Sequence, residues 1–410
     1  MRFLRTASTS RLLATLAGIV VAIAAGTAIA VAATSNSPVP RAKPLAKSLH
    51  GALTARPVNG VSADITFTNN LISSSSFTGG PKDPLLQGAT GRLWWSKSTG
   101  LRLELQTDNG DSQVVVNGRS FWVSDKTSQT VYEGTLPADH KTAKSKAAKS
   151  RTAGVPTVAQ IQSELNKLLG HARVSGTKTS NPGDIAGQPA YSVAVAPKHD
   201  GGLLGSAQIA WDAVTGTPLK LAVYAAGNST PVLQLVADHI SFGSVPSSYI
   251  NISPPSGYKV VKIATAGVGA AGHAAHGKGR HTAVTGVRAV AGKVPFRLVA
   301  PRTLVGLPRQ SVRLLDWGGT PAALITYGQN LGGMVIIEQK ATAGANRGPA
   351  GGSMGGLTLP TVTINNHYSG TELPTALGTI LRYTANGVAY TVLGSVPSSA
   401  AEHAAGALTP

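Results

Sequence analysis

Asp238 and His239 stand side by side, and an acid–imidazole pair is what a hydrolase uses to raise a nucleophile. The flanking Val232–Leu235 and Ile240–Phe242 have strand composition, and adjacent strand residues point to opposite faces. The pair is therefore expected to be unable to share a proton. Ser353 lies in Gly352-Ser353-Met354-Gly355, a Gly-rich run without the strand–turn–helix frame of a nucleophile elbow. His273, His276 and His281 invite a metal, but they sit with Lys278 and Arg280 in a Gly/Ala segment. Metal ligands must be held by packing and outer hydrogen bonds, which such a segment does not supply. The 17 acidic residues are scattered, whereas acid–base pairs and Ca²⁺ sites need them close together. The chain has no cysteine, which removes thiol catalysis, disulfides and a lipid-modified N-terminal Cys. These residue types predict no covalent chemistry, no metal and no cofactor: a binding protein rather than an enzyme.

The elements that would position a binding site are mostly strands. Ile209-Ala210-Trp211 ends one strand, Asp212 to Gly216 turns, and Pro218-Leu219 opens the next. Val232–Leu235 and Ile240–Phe242 follow, then Val245-Pro246, Tyr249, and an exit at Pro254-Pro255-Ser256-Gly257. The turn-forming types fall where the chain must reverse. Upstream, Leu45, Leu49, Ala52 and Leu53 fit one face of a short helix that stops before Pro57.

Val61, Ala63, Ile65 and Phe67 alternate with polar residues in a half-buried strand. A Ser/Gly/Pro-rich loop over 69–88 leads to the strand Gly91–Trp95. Leu101, Leu103 and Leu105 alternate with Arg102, Glu104 and Gln106, and a hairpin is expected around Asn117-Gly118. Thr130–Tyr132 pairs next. The basic stretch 138–153 reads as a mobile loop, and an amphipathic helix spans Val158–Leu169. Tyr191–Ala196 and Gln208–Trp211 continue the sheet. Successive hairpins predict an antiparallel sheet that curls. One apolar side is expected to collect Leu93, Trp95, Leu101, Leu103, Leu105, Val115 and Phe121. Alternation alone leaves open whether that side is packed core or lines a cavity.

Arg2, Arg5 and Arg11 precede an uncharged run, Leu12–Ala33. This is a secretory signal cleaved near Ala30 or Ala32, or an uncleaved membrane anchor. Either way the remainder is placed outside the cytoplasm, secreted or membrane-anchored. A net charge of +19 suits a solvated surface, or attraction to anionic lipid headgroups and wall polyanions. Nucleic acid is not expected as a partner, since no recognition motif is present. The chain divides into a domain over 45–262, a Gly/Ala/His linker over 263–292 and a small β-rich domain over 293–410. The last has strands at Ser311–Trp317, Ala322–Tyr327, Met334–Gln339, Val362–Asn365, Ile380–Tyr383 and Val388–Leu393. A Gly loop over 342–356 and a closing helix over Ser398–Leu408 complete it.

The order of these signals resembles the LolA-type lipoprotein-carrier family, which includes RseB-type stress sensors and LprG-like lipid carriers. The resemblance covers 45–262. It rests on the opening helix, the Gly91-Arg92-Leu93-Trp94 strand and Leu101–Leu105. It also uses the Asn117-Gly118-x-x-Phe121-Trp122 hairpin, Asp212-x-x-Thr215-Gly216-x-Pro218 and Pro254-Pro255-x-Gly257. It implies an N-terminal half-barrel of antiparallel strands capped by helices around an apolar cavity; with the strands over 293–410, the expected fold is mainly β, α+β, with a smaller β-rich C-terminal domain. The implied partner is a lipid or lipoprotein acyl chain. For an RseB-like regulator it is a membrane anti-sigma factor or another protein. An Arg and a Phe used by LolA carriers fall near Lys97 and Leu101, where neither type is kept. That speaks against hand-over to a LolB-type acceptor.

Overall fold

The computed structural model describes residues 39–72, 84–108, 110–126, 128–136, 156–176, 181–263, 284–317, 320–341, 352–354 and 357–409. The expected N-terminal signal or anchor, the stretch 138–153 and His273, His276 and His281 lie outside the described residues. The first part of the chain runs α1 (Leu45–Thr54), β1 (Gly60–Asn69), α2 (Pro84–Gln87), β2 (Gly88–Ser96), β3 (Gly100–Thr107), β4 (Gly110–Asn117), β5 (Ser120–Asp125) and β6 (Thr130–Thr135). It continues with α3 (Val158–His171), β7 (Ala172–Val174), β8 (Asn181–Ile185), β9 (Gln188–Pro197), β10 (Leu204–Asp212), β11 (Pro218–Ala225), β12 (Pro231–Phe242) and β13 (Lys259–Ile263).

These strands form one 13-stranded sheet in the order β13-β6-β5-β4-β3-β2-β1-β12-β11-β10-β9-β7, with β8 also on β9. All pairs are antiparallel except β13 with β6. β1 joins the two meanders, pairing with β2 on one side and β12 on the other. Its alternating Val61, Ala63, Ile65 and Phe67 are all buried on the inner face. A flat sheet would hold β3 and β9 about 29 Å apart at ordinary strand spacing. Instead, Leu103 and Leu105 of β3 and Val193 and Val195 of β9 line a common cavity. The sheet is therefore curled into a half-barrel. Gly91 sits in the curl, where a Cβ would run into the Glu104 carbonyl of β3.

Two helices cap the β9–β10 end of the inner face. Leu45, Leu49 and Ala52 of α1 and Leu165 of α3 pack with Tyr191, Val193 and Trp211. α3 starts at a capping box in which Thr157 accepts from the Gln160 N–H and the Gln160 side chain accepts from the Thr157 N–H.

The second part holds α4 (Val287–Ala291), β14 (Thr303–Leu304), β15 (Leu307–Trp317), β16 (Thr320–Tyr327), β17 (Met334–Lys340), β18 (Gly352–Met354) and β19 (Leu357–Leu359). β20 (Thr361–Ile364), β21 (Tyr368–Thr375), β22 (Gly378–Ala385), β23 (Val388–Gly394) and α5 (Ser398–Leu408) follow. Eight strands form a sheet ordered β14-β15-β16-β17-β23-β22-β21-β20, and β18 and β19 form a separate two-stranded sheet among the described residues. Ala401, Ala404, Ala405 and Leu408 press α5 onto this sheet. Val284, Val287 and Val290 pack into the same core, and Thr285 bridges to Arg313. These residues fall within the 263–292 span expected as linker, and the second sheet instead takes them up. Their i, i+3 spacing is what buries α4.

Several local expectations are refined. The segment over 231–242 is one twelve-residue strand, not two short ones. Residues 84–87 of the expected loop form α2. The β4–β5 turn centres on Gly118-Arg119, with Gly118 at φ +57°, one residue later than an Asn-Gly turn. Asn117 instead donates through Nδ2 to Asn251 Oδ1 at 2.7 Å.

Candidate apolar binding site

The inner face of the curled sheet carries two neighbouring hollows. The smaller, about 60 Å³, is lined by Val61, Ala63 and Ile65 of β1, Leu93 and Trp95 of β2, Leu101 of β3, and β11–β12 residues including Leu219, Leu221 and Leu235. The larger, about 300 Å³, lies toward the Phe67 end. Phe67, Leu105, Val193, Ile209, Val223 and Leu233 are among its walls, and it shares Leu221 and Leu235 with the smaller. Gln208 and Gln234 are the only polar types in its lining. Protein interiors contain few voids larger than a water molecule, so 300 Å³ is beyond a packing defect. Ile209 faces this space yet keeps 36% of its surface exposed, so solvent reaches the trough at β10.

The Asp212–Pro218 turn closes the narrow end. Asp212 is buried, and its Oδ1 accepts from the Val214 N–H at 3.1 Å and the Thr215 N–H at 2.5 Å. Thr215 Oγ1 donates to Thr217 Oγ1 at 2.9 Å. Gly216 has φ +72°, and a Cβ there would sit 2.6 Å from the Ala52 carbonyl oxygen of α1. The turn is thus moulded against α1, and it delivers Thr217 and Pro218 to the wall of the small hollow. This links the most distinctive sequence motif to the site.

Of the residues singled out from sequence, Leu93, Trp95 and Leu101 line the small hollow, and Leu103 and Leu105 line the large one. Phe121 belongs to the same inner core, with its ring over Gly134. Val115 does not. The register sets Leu103 opposite Val114 and Arg102 opposite Val115, which turns Val115 to the outer face. There it packs with Trp122, Val131, Ile252 and Tyr258 and borders an outer groove of about 720 Å³. The run Val114-Val115-Val116 has no alternation, so only the partner strand fixes which valines face in.

Sequence reasoning missed the opposite wall, from Val193 and Val195 through Ile209, Leu221 and Val223 to Leu233. Alternation in Leu219-x-Leu221-x-Val223 was the available signal. That these strands face β1–β3 across a hollow follows only from the curl.

Asp238 and His239 are both exposed, against the expectation of opposite faces. The register slips between Asp64 and Ile65, leaving Asp238 as the extra residue of a β-bulge. Its Oδ2 accepts from Thr66 Oγ1 at 2.8 Å. Among the described residues no group of three His, Asp or Glu is placed to hold a metal ion. No helix among them is long and apolar enough to cross a membrane.

One buried carboxyl stands apart from the trough. Glu338 of β17 has no exposed surface, and its Oε2 accepts from the Val299 N–H at 3.0 Å. Its Oε1 has no partner among the described residues. Burial raises its pKa to about 8, against the pull of the Val299 hydrogen bond. Burial likewise pushes Tyr327 up to about 12, and raises the stacked Tyr383 and Tyr390, whose ring centres lie 4.9 Å apart. At neutral pH the Glu338 carboxyl is protonated, and it holds the segment entering the second sheet.

The geometry defines a class: an open antiparallel half-barrel, capped by helices, with an apolar trough on its inner face. No family model and no curated protein matches the chain. Among solved structures it is similar to the MucA/MucB complex of Pseudomonas aeruginosa, at 15% identity over 88% of this chain and 95% of that one, with a TM-score of 0.38. It is also similar to a LolA superfamily protein of Nitrosomonas europaea, at 9% identity over 50% of this chain and 97% of that one, with a TM-score of 0.21. At such identities and TM-scores the likenesses say nothing of what the trough holds.

Proposed function

We propose that this chain is an extracytoplasmic, non-enzymatic binding protein that holds the acyl chain of a lipid or lipoprotein in the trough. The observation that carries this reading is the 300 Å³ hollow, walled almost wholly by aliphatic side chains and open at Ile209. Its size is at the lower end of the range of small-molecule sites. Each methylene transferred there from water contributes about 0.8 kcal/mol, so a long chain binds firmly without polar contacts. The LolA-type sequence resemblance supports the same cargo, and the Arg-led apolar N-terminus supports the location.

The presence of a second sheet tied to the first supports a second reading, an RseB-like regulator that engages a membrane anti-sigma factor or another protein. Native mass spectrometry of residues 34–410 from a native-like host, followed by lipid extraction, separates the two. A bound mass that releases as lipid is the expected result. A clean apo mass would overturn the carrier reading in favour of the protein partner.

A further inference from the structure

The trough's wide end is the end at which the two sheets touch. The β9–β10 tip is held by the second sheet, where the Leu203 N–H donates to the Ser395 carbonyl at 3.1 Å and to Ser395 Oγ at 3.0 Å. The Gly332 N–H donates to the Asp200 carbonyl of the same tip at 2.6 Å. The chain leaving β1 is held as well. The Ala376 N–H donates to the Leu71 carbonyl at 2.8 Å, and Ile72 is buried against Leu373. Both tied segments continue directly into cavity walls, Val195 and Ala207 on one side and Phe67 on the other. One body therefore fixes the gap between the β9–β10 hairpin and the β1–β3 wall.

The hollow of about 300 Å³ is at the small end of ligand sites, so widening that gap would make room for more of a long acyl chain than the trough now covers. We propose that the second sheet is a clasp across the wide end of the trough, and that an acyl chain enters when the β9–β10 tie releases. The tie at the tip is two backbone contacts and one hydroxyl, whereas the Ile72 tie adds a buried apolar pair. The tip is the side that gives way. This inference rests on the acyl-binding reading above.

The chain has no cysteine, so an engineered pair is unique. A Cβ at Gly332 would lie 3.5 Å from the Asp200 Cα, which brings Asp200→Cys and Gly332→Cys within disulfide reach. The probe is cis-parinaric acid, a fluorescent fatty acid, with its uptake rate measured in the full chain. Oxidation is expected to slow uptake at least tenfold, and dithiothreitol to restore it. Gly202→Ala is the opposing variant, since a Cβ there would meet Ser395 Oγ at 2.7 Å and wedge the tie open. It is expected to speed uptake. Equal rates in oxidised and reduced protein would overturn the clasp while leaving the trough as a binding site. Failure of the disulfide to form would also overturn it, by showing the tip away from the second sheet. No uptake by the reduced protein would overturn the acyl reading and the clasp with it.

Discussion

Ile209 separates a binding wall from ordinary core better than any leucine of the trough. Leu103 is 2% exposed, and a carboxylate placed there would cost stability whether or not a cavity is used. Ile209 already meets water. Ile209→Asp is expected to lower fatty-acid affinity at least tenfold and to shift the thermal midpoint by no more than a few degrees, as read by fluorescence titration and calorimetry. Unchanged affinity would move the site off this wall. Glu338 makes a second prediction at this scale. Its pKa is about 8 when folded and near 4.5 when unfolded, so the folded form holds the extra proton. The stability it confers is complete below about pH 4.5 and lost as pH rises through about 8. Thermal melts of the native chain should show this decline, and Glu338→Gln should flatten it. A decline of the same size in the variant would assign it to other groups. Residue by residue, the sequence was legible where side chains alternate. Leu101, Leu103 and Leu105 face as expected. Val115 was not legible, because a run of three valines carries no period, and Glu338 was not, because nothing in a sequence marks a carboxyl as buried.

At the scale of elements, the Asp212–Pro218 turn is where motif and packing meet. Gly216 combines a left-handed backbone with contact against α1. Gly216→Ala is expected to cost about 1–3 kcal/mol, the usual range for a non-glycine residue forced into such a conformation. Urea unfolding would measure it, and a loss below about 0.5 kcal/mol would mean the turn does not anchor α1. The strands, both amphipathic helices and most hairpins were readable from periodicity and turn residues. The bulge at Asp238 was not, because an extra residue in a strand shows only against its partner. It turned a pair expected on opposite faces into two exposed neighbours. The curl was implied by the family resemblance, but which walls face each other depends on register and on Gly91, and neither is a local signal.

At the scale of the whole molecule, the proposed acyl binding predicts that ligand and fold are coupled. A fatty acid at a hundredfold excess over its Kd should stabilise the half-barrel by about 2.7 kcal/mol. Differential scanning calorimetry with palmitate should raise the transition of the first sheet. No shift at saturating palmitate would count against acyl binding. The pairing of β1 with β12 has another consequence, for the order in which the molecule is made. Partners such as Thr66 and Asp238 are 172 residues apart, and such long-range pairing closes slowly. As the chain emerges from its N-terminus, β1 can take β2 on one side while its other edge stays bare. That edge is covered only when residues 231–242 arrive. During synthesis, the nascent protein therefore carries an open sheet edge and an uncovered apolar face from the completion of β1 at Asn69 until β12 ends at Phe242. A holding factor, or fast passage, would serve it best in that interval.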